Sequence, residues 1–155
     1  MKTFDNTDQA ILRALQHDAR QTMAELAEQV SLSQSPCWRR VRQLEESGVI
    51  AGYHASLSRK HLGYGVTGFI HLQMHDHTAE TTAAFEREVV ALPQVVTCHN
   101  LSGHYDYLIE ALEVDLESFS ALVRNKIRCL PGVREISTSF SLKEVKAAGS
   151  LPVGA

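Results

Sequence analysis

The hydrophobic pattern of this chain changes character close to Gly48, and that change limits the fold more than any other feature of the sequence. Before it, apolar residues recur at helical spacing. Beyond it, β-rich runs alternate with helical ones, so a small helical domain should be followed by a domain built on a sheet. In the helical part the first helix is predicted to begin at Asp5, which can cap it, with Asp8 favouring the positive helix end and Ile11, Leu12 and Leu15 forming an apolar stripe. Thr22-Met23-Ala24-Glu25 has the T-x-x-E pattern of a capping box and opens a second helix, with Leu26, Ala27 and Val30 on one face and an end near Val30. After a turn over residues 31–34, Ser35 is the expected cap of a third helix and Pro36 its first residue.

The register of that third helix decides what it can do. Cys37, Val41 and Leu44 recur at i, i+4 and i+7 and must face the core, which turns Arg39, Arg42, Gln43 and Glu46 outward and gathers the serines and Gln34 at the exposed N-terminal end. Helix N-termini favour phosphate, and short hydroxyl and amide side chains there can reach base edges. The geometry therefore suits a helix entering the major groove of DNA. The same stretch also fits a solvated, arginine-rich face on an ordinary bundle.

Val49 to Leu57 reads as a short strand or wing, leading to a linker over residues 57–65 that collects Ser58, Arg59, Lys60, Gly63 and Gly65. Strands are then predicted over 66–74, 95–101, 106–114 and 133–142. Helices are predicted over 79–91, closed by Pro93, and over 116–130, stopped by Pro131-Gly132. The order βαββαβ is that of a ferredoxin-like sheet with both helices on one face. The fold class is thus α+β: a winged helix-turn-helix over residues 1–56, the linker, and a ferredoxin-like domain over 66–155. Phe69, His71 and Gln73 would occupy the sheet face opposite Ile70, Leu72 and Met74, and an uncovered face predicts face-to-face dimerisation.

Composition narrows the function. A chain of 155 residues with 44% hydrophobic side chains can bury a core, and no apolar run approaches the roughly 18 residues that cross a bilayer, so a cytoplasmic protein is expected. Cys37, Cys98 and Cys129 are odd in number and far apart, which reads as reduced, mostly buried thiols. The net charge is −3, but it divides unevenly: residues 1–60 carry +1 and residues 61–155 carry −4. Arg39, Arg40 and Arg42 lie in a stretch, residues 33–44, that contains no acid. The basic face belongs to the third helix, and the acidic second half should avoid DNA.

A second motif, Ser102-Gly103-His104-Tyr105-Asp106-Tyr107-Leu108, sits between two predicted strands. Gly103 lets a tight loop present successive backbone N–H groups to a carboxylate, and Asp106 can accept hydrogen bonds from an ammonium group. Those are the two ends of a free amino acid. A hairpin turn in which Asp106 satisfies backbone donors is the other reading. Two further classes compete. His71, His75 and His77 share strand parity, with Cys98 and His99 on another strand, which would suit a metal-sensing regulator. No nucleophile-base pair or phosphate loop supports an enzyme, so neither catalysis nor a cofactor is expected.

Six stretches in combination, Asp5 to Gln16, Glu25 to Val30, Leu32 to Glu46, Gly48 to Tyr53, Gly103 to Tyr107 and Leu142 to Lys146, resemble the Lrp/AsnC family, the leucine-responsive or feast/famine transcriptional regulators. The resemblance covers nearly the whole chain. It implies an N-terminal helix-turn-helix that reads double-stranded DNA, and a C-terminal domain that dimerises, assembles further to an octamer and binds an amino-acid effector. By position it implies that residues 22–30 form the positioning helix and residues 35–47 the recognition helix. Ser33, Gln34, Ser35, Trp38, Arg39 and Arg42 become candidates for DNA contact, although a tryptophan beside a core cysteine also fits simple packing. Leu101, Gly103, His104, Asp106 and Tyr107 become candidates for effector contact. Two residues depart from the family pattern: Ser31, where many relatives have the glycine that leaves a helix with positive φ, and His104, which bears on effector preference.

Overall fold

The computed structural model describes residues 4–147 and 149–154. They divide into two compact units, one running through Ser56 and including the segment from Val145 onward, the other spanning Leu57–Glu144.

The first unit holds three helices, α1 (Asn6–His17), α2 (Met23–Gln29) and α3 (Gln34–Glu46). The side chain of Asp5 accepts the Asp8 N–H at 2.8 Å, as a cap should, and the Thr22–Glu25 capping box is complete. Ile11, Leu12, Ala14, Leu26, Ala27, Cys37, Val41 and Leu44 form the core, which follows the predicted stripes closely. Burying a side chain the size of Ile11 or Leu26 contributes about 1.5–3 kcal/mol.

The start of α3 differs from expectation by two residues. Ser33 takes the cap position and Gln34 begins the helix, so Pro36 is third rather than first. Every N–H of a first helical turn lacks an acceptor within the helix, and proline is therefore tolerated at the third position as well. The first intrahelical bond runs from the Cys37 N–H to the Ser33 carbonyl at 3.2 Å. Ser31 adopts φ 56°, the left-handed conformation that its place after α2 demands.

Of the strand or wing expected over Val49 to Leu57, the strand does not form: these residues make no strand ladder among the described residues. An extended run becomes a strand only with a partner, and it finds none among the described residues. Tyr53 still ties the segment back to α3, its hydroxyl donating to Glu45 Oε1 at 2.8 Å. Burial, and then the Glu45 carboxylate, push the Tyr53 phenol up to about 12.

The second unit is the expected βαββαβ, with β1 (Val66–Met74), α4 (Ala79–Val90), β2 (Val95–Asn100), β3 (Tyr107–Glu113), α5 (Leu116–Asn125) and β4 (Val133–Phe140). The sheet order is β2-β3-β1-β4, with every paired neighbour antiparallel. Ile70, Leu72 and Met74 of β1 join Ile109 and Ala111 of β3 against Phe85 and Val89 of α4 and Phe119 and Leu122 of α5. Gly68 is needed where β1 passes under α5, because a Cβ there would run into the Phe119 ring. The single helix expected over 116–130 breaks at Lys126 into a 3-10 turn, Ile127–Cys129. In an unbroken helix Ile127 would lie about 80° round from Phe119; after the break it is fully buried.

The expected linker belongs to this second unit. Arg59 Nη1 meets Glu110 Oε1 at 2.7 Å, and the Gly65 N–H bonds the Glu113 carbonyl at 3.1 Å. At the other end, the residues from Val145 on group with the helical unit, whereas the sequence pattern runs the sheet domain to residue 155. All three thiols are free, but Cys37 alone is buried; Cys98 is half-buried and Cys129 exposed. Among the described residues no helix is long and apolar enough to cross a membrane.

Candidate functional site

The first site is the outward face of α3. Ser33, Gln34, Ser35, Trp38, Arg39 and Arg42 are all exposed, while Cys37, Val41 and Leu44 are buried behind them. Counted at 100° per residue, positions 34, 35, 38, 39 and 42 lie within about 140° of one another. They share one face. The Ser33 side chain makes no capping bond, so its hydroxyl stays available at the helix end.

The arginines have separate roles. Arg40 turns away from this face and bridges two carboxylates of the α1 N-terminus, Asp5 at 2.8 Å and Asp8 at 2.7 Å. The Asp8 N–H bond holds the Asp5 carboxyl below its ordinary range, with the Arg40 guanidinium adding to the effect. Arg42 lies over the Trp38 ring, 5.2 Å from its centroid, and its Nε meets Glu46 Oε1 at 2.7 Å. Trp38 is 51% exposed and does not belong to the buried core. Arg39 has no ion-pair partner among the described residues. Sequence reasoning missed the structural role of Arg40 because its partners lie far off in sequence, on α1.

The second site is the loop joining β2 to β3. The Leu101 N–H bonds the Asp106 carbonyl at 2.8 Å and closes its base. Gly103 has φ 139°, and the space a Cβ would enter is open to 4 Å, so its glycine character serves the backbone conformation alone. The N–H groups of residues 102–105 have no acceptor among the described residues. A run of free N–H groups at an exposed loop is what an anion can use.

Asp106 bridges the loop and the sheet. Its Oδ2 accepts the Met74 N–H at 2.7 Å and its own N–H bonds the Leu72 carbonyl at 2.8 Å, so it extends the β1–β3 ladder by a side-chain bond. Its Oδ1 lies 3.8 Å from His77 Nε2. One oxygen is committed to backbone; the other faces a histidine.

The structure does not bring all five effector candidates to one face. Leu101, Gly103, His104 and Asp106 belong to the loop, but Tyr107 points to the helix-covered side. It is buried with its ring 4.4 Å from Phe85 and its hydroxyl donating to Glu86 Oε1 at 3.2 Å. Burial, and then Glu86, raise its phenol. Strand alternation accounts for this: Tyr107 pairs with Leu72, which also faces the helices.

Sequence reasoning missed Gln73. It is 7% exposed, its Nε2 donates to the His104 carbonyl at 2.7 Å, and its Oε1 accepts from Arg134 Nη2 at 2.6 Å. Nothing in a strand pattern distinguishes such a glutamine from a solvent-facing one. The histidines do not converge: His71 packs on Tyr105, His75 meets Asp76, and among the described residues no three side chains form a metal-binding group.

Comparison with known proteins bears on both units. Residues 4–51 match the family model described as winged helix-turn-helix DNA-binding, and residues 67–151 match the Lrp/AsnC ligand binding domain. The chain is 37% identical to the Bkd operon transcriptional regulator of Pseudomonas aeruginosa, over 99% of this chain and 100% of that one. It is 33% identical to the leucine-responsive regulatory protein of Escherichia coli, over 98% and 93% of the two chains. A transcriptional regulator of Neisseria meningitidis, solved as a complex with L-Met, superposes with a TM-score of 0.94 at 38% identity, covering 98% of each chain.

Proposed function

The chain belongs to the Lrp/AsnC family of transcriptional regulators, and from that premise we propose that it reads operator DNA with the exposed face of α3 and takes a free amino acid at the loop between β2 and β3. DNA binding itself comes with the helix-turn-helix. The residue assignments are the further step, and the observation that carries them is the exposed face of Ser33, Gln34, Ser35, Trp38, Arg39 and Arg42. In this reading Arg39 and Arg42 contact phosphate or guanine, and Ser33, Gln34 and Ser35 approach base edges from the helix end.

At the loop, the unpartnered N–H groups of residues 102–105 would take the ligand carboxylate. Asp106 Oδ1 would take the ammonium, leaving Oδ2 on Met74. Leu101 and His104 would flank the amino-acid side chain, and Tyr107 would support the loop from behind. A relative bound to L-Met supports an amino acid as the ligand class.

Assembly is part of the proposal. The sheet face bearing Phe69 and His71 carries no helix among the described residues, and the extended residues 51–57 have no backbone partner among them. Both features favour a dimer, with larger assemblies built on it. A thermal-shift screen against the common amino acids tests the ligand, since a ligand that binds only the folded protein raises the midpoint by mass action. A screen in which none of them moves the midpoint at millimolar concentration, with the protein folded and bound to DNA, would remove the amino-acid reading while leaving the DNA reading intact.

A further inference from the structure

The outer face of α1 holds an extended piece of this chain. Gln16 makes a two-way contact with the backbone of Leu151: its Nε2 donates to the Leu151 carbonyl at 3.2 Å, and its Oε1 accepts the Leu151 N–H at 2.6 Å. One turn earlier, Arg13 Nη1 donates to the Val153 carbonyl at 3.2 Å. The Val153 side chain packs against the core that Ile11, Leu26 and Cys37 form. One more turn back, Gly154 has φ 80°, a conformation that strains any side chain, and a Cβ there would push aside the tip of the Gln9 side chain.

Gln9, Arg13 and Gln16 are spaced i, i+4 and i+7, so they line one face of the helix. An amide is the side chain that can copy the donor and acceptor of a neighbouring strand, and Gln16 does so for one residue of the peptide. Pro152 suits the arrangement, since its ring fixes φ and its residue lends no N–H to be satisfied. Leu151 itself stays largely exposed; specificity rests on backbone contacts, the Val153 side chain and the glycine.

The geometry points to α1 as a docking groove for an extended peptide, filled here by the chain's own Leu151–Val153, and to a DNA-reading unit that is fully stable and fully active only with this strap seated. The inference rests on the DNA reading of α3 for its second half and on α1 alone for its first. Its consequence is regulatory. Residues 141–150 separate the strap from β4 in sequence, so the strap is covalently tied to the sheet unit, and an event that unseats it lowers the fraction of helical unit competent for DNA.

Two substitutions in the full chain and a chain ended after Ser150 test it, with Gln16→Leu made in both. Gly154→Ala strains the seated strap without touching α3, Gln16→Leu removes both hydrogen-bonding groups, and the shortened chain lacks the strap. Hydrogen exchange of the α1 amides should rise about tenfold in the shortened chain and in Gly154→Ala, and DNA affinity should fall about threefold or more. Gln16→Leu should act in the full chain and add nothing in the shortened one, as expected for partners in one contact. A synthetic peptide spanning Ser150–Gly154 should restore protection to the shortened chain. Unchanged α1 exchange after truncation would overturn the groove, and so would a Gln16→Leu effect of equal size with and without the strap. Raised exchange with unaltered DNA affinity would overturn the strap's role in DNA binding and leave the α3 assignment standing.

Discussion

Replacing Ser31 by glycine should stabilise the helical unit, and the unit contains its own reference for how much. α2 and α3 end in the same hydrogen-bonding motif. After α2, the Ser31 N–H reaches the Glu28 carbonyl at 3.1 Å and the Leu32 N–H the Ala27 carbonyl at 2.8 Å; after α3, Gly48 reaches Glu45 at 2.9 Å and Val49 reaches Leu44 at 3.0 Å. The residue past each cap has left-handed φ, 56° at Ser31 and 74° at Gly48. With bonds matched, the difference between the two ends is the side chain in the left-handed position. A non-glycine residue there costs about 1–2 kcal/mol, and glycine returns about 0.5–1 kcal/mol of that through the greater freedom of the unfolded chain. The net gain is about 0.5–1 kcal/mol, or roughly 2–8 °C in Tm for a unit of this size. Gly48→Ser should lose a similar amount, and by backbone strain alone, since nothing lies within 4 Å of a Cβ there. Trp38 is the sole tryptophan and lies on α3, so its fluorescence follows the helical unit separately from the sheet unit. A neutral or destabilising Ser31→Gly, together with a neutral Gly48→Ser, would refute the account.

Four other outcomes follow from the same geometry. Arg39→Ala and Arg42→Ala should weaken operator binding, and a phosphate-contacting arginine should reduce the salt-dependence slope by about one unit, read by fluorescence anisotropy across a salt series; unchanged footprints in both variants would take α3 out of the interface. Operators should show half-sites about 34 Å apart or a multiple of it, measurable by hydroxyl-radical footprinting of spaced variants. Gly68→Ala should destabilise the sheet unit by about 1–3 kcal/mol, measured by urea unfolding, because the Phe119 ring must move. Asp5, Glu25, Asp76 and Asp115 titrate below their ordinary values of 3.8 and 4.5 in the folded state, each chiefly through a hydrogen bond from a backbone N–H at a helix or turn start. Depressed carboxylates contribute stability that is complete above those ordinary values and is lost as pH falls through the lower folded ones, so acid unfolding should begin as pH drops below about 4.

The parts of this fold legible in sequence are those set by local chemistry. The Asp5 cap, the Thr22–Glu25 box, the inward stripe of α3 and the bounds of β1 each depend on residues a few positions apart, and each agrees with the structure. The positive φ at Ser31 was indicated by the resemblance alone, through the glycine that many relatives carry there, and not by the serine itself. What was not legible depends on partners distant in sequence. Arg40 pairs with α1, Gln73 joins the loop carbonyl of His104 to Arg134, and the segment after Val145 rejoins α1 across the length of the chain. Tyr107 illustrates a different failure. The motif grouped it with Asp106, although the strand predicted over 106–114 already held both, and the alternation of β3 sends Tyr107 to the opposite side.

Asp106 shows why the two readings of the loop, ligand site or hairpin turn, need not compete. A carboxylate has two oxygens, and the structure uses them unequally: Oδ2 satisfies the Met74 N–H, while Oδ1 has only His77 at 3.8 Å among the described residues. The structural task needs an acceptor but no charge, whereas an ammonium ligand needs the charge. Substitutions can therefore separate them. Asp106→Asn keeps an acceptor for Met74, so the fold should hold, while loss of a charge-assisted bond should weaken the amino acid by roughly 1.5–3 kcal/mol, about ten- to hundredfold in affinity. Asp106→Ala removes both and should in addition cost about 1–3 kcal/mol of stability, because the N–H of the buried Met74 is left without its partner. Calorimetric titration with the amino acid and urea unfolding of both variants give the comparison. If Asp106→Asn binds the ligand as the wild type does while Asp106→Ala is destabilised, Asp106 is a turn residue and the ammonium is held elsewhere. If Asp106→Asn loses affinity at full stability, the same side chain closes the sheet and holds the ligand, and a signal at the loop has a direct route into β1.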